Sequence, residues 1–212
     1  MIGFKKLSGG MVILIVCGLS ILPTAAQQTS EARIQPPAVI EYNGDMATML
    51  ATLSKIYGTT IGLEVDARQP QSQVAFHLRD PSLQDVLNAI VKSAPGYQWR
   101  ESDGSIEVFP STGSSPLLDT LIPSFRANNV DEEIAISQLL SGPTMQANIR
   151  AMSLNRRAPD RTATNQRGKN FSVNLEAVTL RQALNKIAND SGGRFWIFRN
   201  YRDGFFSISN FP

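Results

Sequence analysis

One pattern occurs twice in this chain, and that constrains its fold more than any other feature. Residues 74–108 read VAFHLRDPSLQDVLNAIVKSAPGYQWRESDGSIEV, and residues 171–208 read FSVNLEAVTLRQALNKIANDSGGRFWIFRNYRDGFFSI. At an offset of 97, Leu78 meets Leu175, Leu83 meets Leu180, Leu87-Asn88 meets Leu184-Asn185, Ile90 meets Ile187 and Trp99 meets Trp196. These are the only two tryptophans in the chain. A short insertion moves the offset to 100, and Asp103-Gly104 meets Asp203-Gly204. Internal repetition sets architecture before any single residue does. It predicts two similar small α/β units rather than one body built around a single cleft.

The first 26 residues have a different grammar. Lys5 and Lys6 precede an apolar run from Met11 to Ile21, and Pro23-Thr24-Ala25-Ala26 offers small residues for a cut after Ala26. This is the layout of a secretory signal peptide. The run is shorter than the ~20 residues of a spanning helix, so no stable membrane span is expected after cleavage. Cys17 does not make this a lipoprotein signal, because Val16 stands where a small residue is needed. Cleavage removes two lysines from 20 basic residues and leaves 18 against 18 acidic ones. A formal charge of zero gives no general attraction to nucleic acid or anionic membrane. Cleavage also removes the only cysteine, so no disulfide, thiolate nucleophile or Cys-based metal site is expected.

The rest divides into a polar lead-in (27–37), a first unit (38–110), a Ser/Gly/Pro-rich linker (111–120) and a second unit (121–212). In the first unit Val39–Tyr42 reads as a strand and Asp45 as a helix cap. Met46, Met49, Leu50, Leu53, Ile56 and Tyr57 keep helical spacing up to Gly58. Strands follow at 60–65 and 74–78, then a helix from about Ser82 carrying Leu83, Val86, Leu87, Ile90 and Val91, then a hairpin over Asp103-Gly104. The second unit offers a poor strand at 124–127, a helix at 131–140 with Ile134, Ile136, Leu139 and Leu140, and a possible second strand at 149–154. Its end is clear: strand 171–175, a Thr179-capped helix, and hairpin 195–198/205–208. The fold class is α+β: two tandem β-α-β-β-α-β-β units, with small sheets packed on two helices each.

An apolar strand, a Ser/Thr-Leu-x-x-Ala/Val-Leu-x-x-Ile/Leu helix and an aromatic hairpin closing on Gly-x-Ile-x-Val resemble the short N-terminal domain shared by secretins and TonB-dependent receptors. The pattern is carried by Val74–Leu78, Ser82–Ile90, Tyr97–Trp99 and Gly104–Val108. It recurs in Phe171–Leu175, Thr179–Ile187, Phe195–Ile197 and Gly204–Ile208. The resemblance implies a periplasmic adaptor that touches an envelope partner: a secretin, a TonB-linked receptor or an inner-membrane export component. In that family the domain heads a pore or barrel. No segment here has the serial ten-residue strands of a barrel, so pore formation is not expected.

Residues able to carry chemistry are few. His77 is the only histidine and lies on the strand face opposite Val74, Phe76 and Leu78. Without other His or mature Cys ligands it is expected to be a half-exposed strand residue, not a metal ligand or base. Glu132-Glu133 sit at a predicted helix N-terminus, where they complement the helix dipole. No catalytic residue, cofactor or metal is expected. Trp99 and Trp196 are expected to pack across their own helices. The least ordinary segment is the basic insertion 146–170, with Arg150, Arg156, Arg157, Arg161, Arg167 and Lys169 against the single acid Asp160. It is the candidate partner-binding arm, and its lack of interleaved aromatics argues against a nucleic-acid site. The expected function is a non-enzymatic adaptor. The alternative is a peptidoglycan- or carbohydrate-associated envelope protein using the aromatic hairpins and the basic arm. A hydrolase would need His77 to converge on a Ser and a carboxylate.

Overall fold

Short polar caps start the helices where the sequence places them. In the computed structural model, which describes residues 38–66, 73–158, 169–201 and 203–210, strand β1 (Val39–Asp45) runs directly into helix α1 (Met46–Tyr57). Asp45 is the N-cap and accepts from the Thr48 amide at 2.9 Å. Gly58, at φ +63°, closes the helix in the left-handed conformation open to glycine. Strands β2 (Thr60–Asp66) and β3 (Gln73–Arg79) follow, then helix α2 (Leu83–Ser93) and the hairpin of β4 (Tyr97–Ser102) and β5 (Ser105–Pro110). Asp103 and Gly104 both have positive φ, which suits the tight turn of a hairpin. A 3₁₀ turn (Pro116–Asp119) leads to β6 (Leu121–Val130), α3 (Glu132–Ser141), α4 (Pro143–Ala151) and β7 (Asn155–Arg156). The chain continues through β8 (Phe171–Thr179), α5 (Leu180–Ser191), β9 (Phe195–Asn200) and β10 (Phe205–Asn210). The repeated helices α2 and α5 open on equivalent capping boxes, Ser82 with Asp85 and Thr179 with Gln182.

The strands form one large sheet and two small ones. The large sheet has the order β4-β5-β2-β9-β10-β7. In one half the hairpin β4–β5 carries β2 parallel to β5; in the other, β9–β10 carries β7 parallel to β10. The halves join where β2 pairs parallel with β9, from Ile61↔Phe195 to Asp66↔Asn200. The small sheets are the antiparallel pairs β1–β3 and β6–β8.

Alternation along β9 shows how the layers stack. Phe195 and Ile197 enter a core with Leu50 and Leu53 of α1, Leu87 and Ile90 of α2, and Ile61 and Leu63 of β2. Trp196 and Phe198 point the other way, into a core with Leu139 and Leu140 of α3, Leu184 and Ile187 of α5, and Phe206 and Ile208 of β10. The large sheet is therefore covered on one face by α1 and α2 and on the other by α3 and α5. Strand β2, with a neighbour on each side and helices on each face, is buried at every residue except Val65, which is half-buried. Burial of that kind is the condition of parallel strands.

Several expectations are corrected. The halves do not keep separate small sheets, because β2 and β9 merge them into one. The strand expected at 149–154 is not there: Ile149 belongs to α4, where Met145 and Ile149, one turn apart, are buried, and the strand is the short β7 beyond it. Pro143 begins α4 at a position where a missing N–H costs nothing, a signal the sequence carries. The poor strand at 124–127 is a ten-residue strand with a bulge between Ala127 and Val130. Ile134 is 46% exposed, so it is not part of the α3 core face; Ala135, Ile136, Leu139 and Leu140 are. The 111–120 segment is packed rather than loose, with Leu117 and Leu118 fully buried. The expected signal, Cys17 and the whole lead-in lie outside the described residues.

Candidate functional site

The β2–β9 seam is where the molecule departs most from simple repetition. Gly62 pairs with Trp196, and a Cβ at position 62 would fall on the indole ring at Cζ2 and Cε2. The glycine lets the indole lie flat across the neighbouring strand. Trp196 is 1% exposed, and its Nε1 donates to Asn185 Oδ1 on α5 at 2.7 Å. In the first half Trp99 makes the equivalent bond, donating to Asn88 Oδ1 on α2 at 3.0 Å. Both tryptophans thus lie across their own helices. Only one is covered by a further strand.

Beside Gly62 the seam holds a charge cluster. Arg181, in the first turn of α5, reaches over β2 and places Nη1 2.7 Å from Glu64 Oε1 and 3.6 Å from Glu107 Oε2. Its Nη2 donates to Ser114 Oγ and lies 3.5 Å from the more exposed Asp119. Arg100 approaches Glu107 from the open side at 2.6 Å. Glu64 also accepts from Ser114 Oγ at 2.8 Å and from the Ser115 amide at 2.9 Å. Those bonds explain why the Ser-rich connection is ordered. Arg181, Glu64 and Glu107 are each buried to within about 5% of full side-chain burial. Such a cluster adds little to stability against an apolar alternative, but loss of one member strands the others without water. The Arg181 Nε–H has no partner, so the geometry serves Glu64 and Glu107 first.

At the carboxyl ends of the three parallel strands β5, β2 and β9 lies a cleft of about 220 Å³, lined by Asp66, Thr112, Ser115, Phe198 and Asn200 with Glu64 at its floor. Its floor carboxylate accepts from Arg181 Nη1, Ser114 Oγ and the Ser115 amide.

The sequence-predicted residues do not gather into one site. His77 is exposed on β3 and faces Glu41 of β1, its Nδ1 3.6 Å from Glu41 Oε2. Among the described residues, no group of three or more His, Cys, Asp or Glu is placed to hold a metal ion. The described residues of the basic insertion fall on different elements. Arg150 is exposed in α4. Arg156 lies in β7 and donates to Ser137 Oγ, and the Arg157 guanidinium stands 5.3 Å from the Tyr201 ring centre. Lys169 is exposed just before β8, and Arg161 and Arg167 fall outside the described residues.

Glu132 behaves differently from a surface dipole partner. It occupies the first turn of α3 yet is only 9% exposed, accepting from Ser191 Oγ at 2.8 Å while its Oε1 has no partner. Burial, partly offset by the Ser191 bond and reinforced by Asp131, pushes its carboxyl from 4.5 up to about 7.

Sequence reasoning missed Gly62, Glu64, Glu107 and Arg181. Acids flanked directly by apolar residues, Leu63-Glu64-Val65 and Ile106-Glu107-Val108, are a usable signal, since charges inside apolar strands need partners. Compared with known proteins, the chain matches no protein-family model, and no curated protein matches it significantly.

Proposed function

We propose that this protein is a non-enzymatic adaptor of the cell envelope. It consists of two tandem units, β-α-β-β-α-β-β in the first half and the same order with α4 inserted after α3 in the second, similar to the short N-terminal domain of secretins and TonB-dependent receptors. Residues 1–26 direct it to the periplasm and are removed after Ala26. It contacts a trans-envelope partner: a secretin, a TonB-linked receptor or an inner-membrane export component.

The observation that carries this reading is the identity of pairings. β4, β5 and β2 stand to one another as β9, β10 and β7 do, two hairpins each with a parallel strand on the second hairpin strand. The helix-to-tryptophan bond is repeated on the same spacing. A unit that recurs as a packing pattern, with its polar residues engaged in holding the halves together, is suited to presenting surfaces. Fold-level likeness gives the class of function and not its partner.

The test is crosslinking in intact envelopes followed by identification of the captured protein. Excision of 150–169 would remove β7 and disturb the sheet. The matched variant therefore reverses exposed charges, Arg150→Glu with Lys169→Glu. Capture of a secretion, receptor or export component supports the adaptor, and weaker capture by the variant assigns the basic segment a part in it. Cell-wall fragments alone, or no specific partner, would overturn it. Among the described residues no helix is long and apolar enough to cross a membrane.

A further inference from the structure

The seam is a worked example of what this unit docks. In the second half, α5 overhangs the edge of β9, and the groove between them is lined by Arg181, Asn185 and Trp196, all buried because β2 lies in it. The first half has the same groove between α2 and the edge of β4. Its lining at the equivalent positions is Gln84, Asn88 and Trp99; Gln84 and Asn88 are exposed and Trp99 is half-buried. Among the described residues β4 is an end strand of the large sheet. The Trp99–Asn88 bond already holds the indole in the orientation that Trp196 adopts beneath β2.

We propose that the β4 edge, with Gln84, Asn88 and Trp99, docks an extended segment of a partner protein that pairs parallel to β4 and sets a glycine against Trp99. Strand addition supplies main-chain hydrogen bonds as affinity and side-chain fit as specificity. The fit follows from the seam: the indole lies across the incoming backbone, and only glycine leaves room for it. An apolar residue on each side of that glycine matches Ile61 and Leu63.

A second copy of this chain is a poor occupant. Among the described residues the strand at the other end of the sheet is β7, which corresponds to β2. β2 pairs Ile61 with Ile106, and β7 pairs Arg156 with Phe206. Gly62 therefore corresponds to Arg157, whose Cβ would meet the indole. β7 is also only two residues long. Open edges that could propagate a sheet are a hazard proteins block with charge and short strands.

This proposal rests on the adaptor reading and names its surface. It is tested on the intact protein with a synthetic peptide of the sequence Thr60–Asp66 (TIGLEVD). With only two tryptophans, two indole N–H resonances suffice, and Trp99→Phe assigns them. The peptide is expected to move the Trp99 resonance saturably and leave that of Trp196 in place. A peptide with leucine for its glycine is expected to bind at least about tenfold more weakly, a difference of about 1.4 kcal/mol. Gln84→Arg, an exposed change copying Arg181, is expected to tighten binding several-fold, and a peptide with Gln for Glu64 is expected to lose that gain. The proposal is overturned if the peptide leaves Trp99 unmoved, or if the leucine peptide binds equally well. It is also overturned if peptidoglycan fragments rather than peptide move Trp99, or if the protein alone associates through β4. Peptide docking without envelope capture would keep the site and remove the trans-envelope partner; capture without peptide docking would do the reverse.

Discussion

Trp99 and Trp196 carry the same bond to the same helix position, yet one lies in a half-open groove and the other in the middle of the molecule. The difference is in what lies beyond them. β9 has β2 on its outer side, with a glycine at the crossing and an arginine overhead. The first half has Gln84 in place of that arginine, and Arg157, directly after β7, stands in place of that glycine. Repetition built two units able to receive a strand. Three unrepeated residues, Gly62, Glu64 and Arg181, selected one of them to be filled from within the chain.

The strongest way to break the comparison is Arg181→Met. It leaves Glu64 and Glu107 buried without their shared cation and is expected to cost about 3–5 kcal/mol in urea unfolding. Gln84→Met, at the equivalent exposed site, should stay within about 0.5 kcal/mol. Gly62→Leu places a branched side chain on the Trp196 ring and should cost about 3 kcal/mol, while Arg157→Leu should change stability little. Equal losses at 62 and 157 would mean the seam is not where the halves are held.

A third contrast lies at the first turn of the leading helices. Met46 follows the Asp45 cap, and Glu132 follows the Asp131 cap; both side chains are buried. Glu132 has its carboxyl raised from 4.5 to about 7, so the folded state holds a proton that the unfolded state has released. That contribution is fully present below about 4.5 and is lost as pH rises through about 7. The slope is bounded by about 1.4 kcal/mol per pH unit. Glu132→Gln, or Glu132→Met to copy the first half, should flatten this window and raise the unfolding free energy at pH 8 by on the order of 1 kcal/mol or more. A pH profile unchanged by Glu132→Gln would remove Glu132 as its source. A last contrast separates the tryptophans themselves. Trp196→Phe strands Asn185 Oδ1 in the core and should cost about 1–3 kcal/mol, against less than about 1 kcal/mol for Trp99→Phe at the edge.

Much of the local structure was legible. Asp45, Ser82 and Thr179 each cap a helix as their position before an apolar stripe implies. Strands 60–65, 74–78 and 171–175 and both hairpins stand within a few residues of the expected bounds. α4 was missed because a run rich in Arg and Asn buries only Met145 and Ile149, too few apolar residues for a periodic signal. β6 was underestimated because its exposed face is polar and Pro123 interrupts the run, which an outer two-stranded ribbon tolerates. The basic segment reads as one feature in sequence, while its described residues lie in three places: a helix end, a sheet edge and the approach to β8.

What the sequence determined by itself was the repeat: where the helices begin, which faces are apolar, and that tryptophan and asparagine recur eleven residues apart. These are short-range relations, written in spacings a helix or strand reads locally. What only the tertiary structure decided was how the repeats join. A strand edge is the same row of amides and carbonyls whatever its sequence, so pairing β2 with β9 leaves no periodic trace. Its determinants are single residues that meet across the fold, Glu64 and Arg181 lying 117 positions apart.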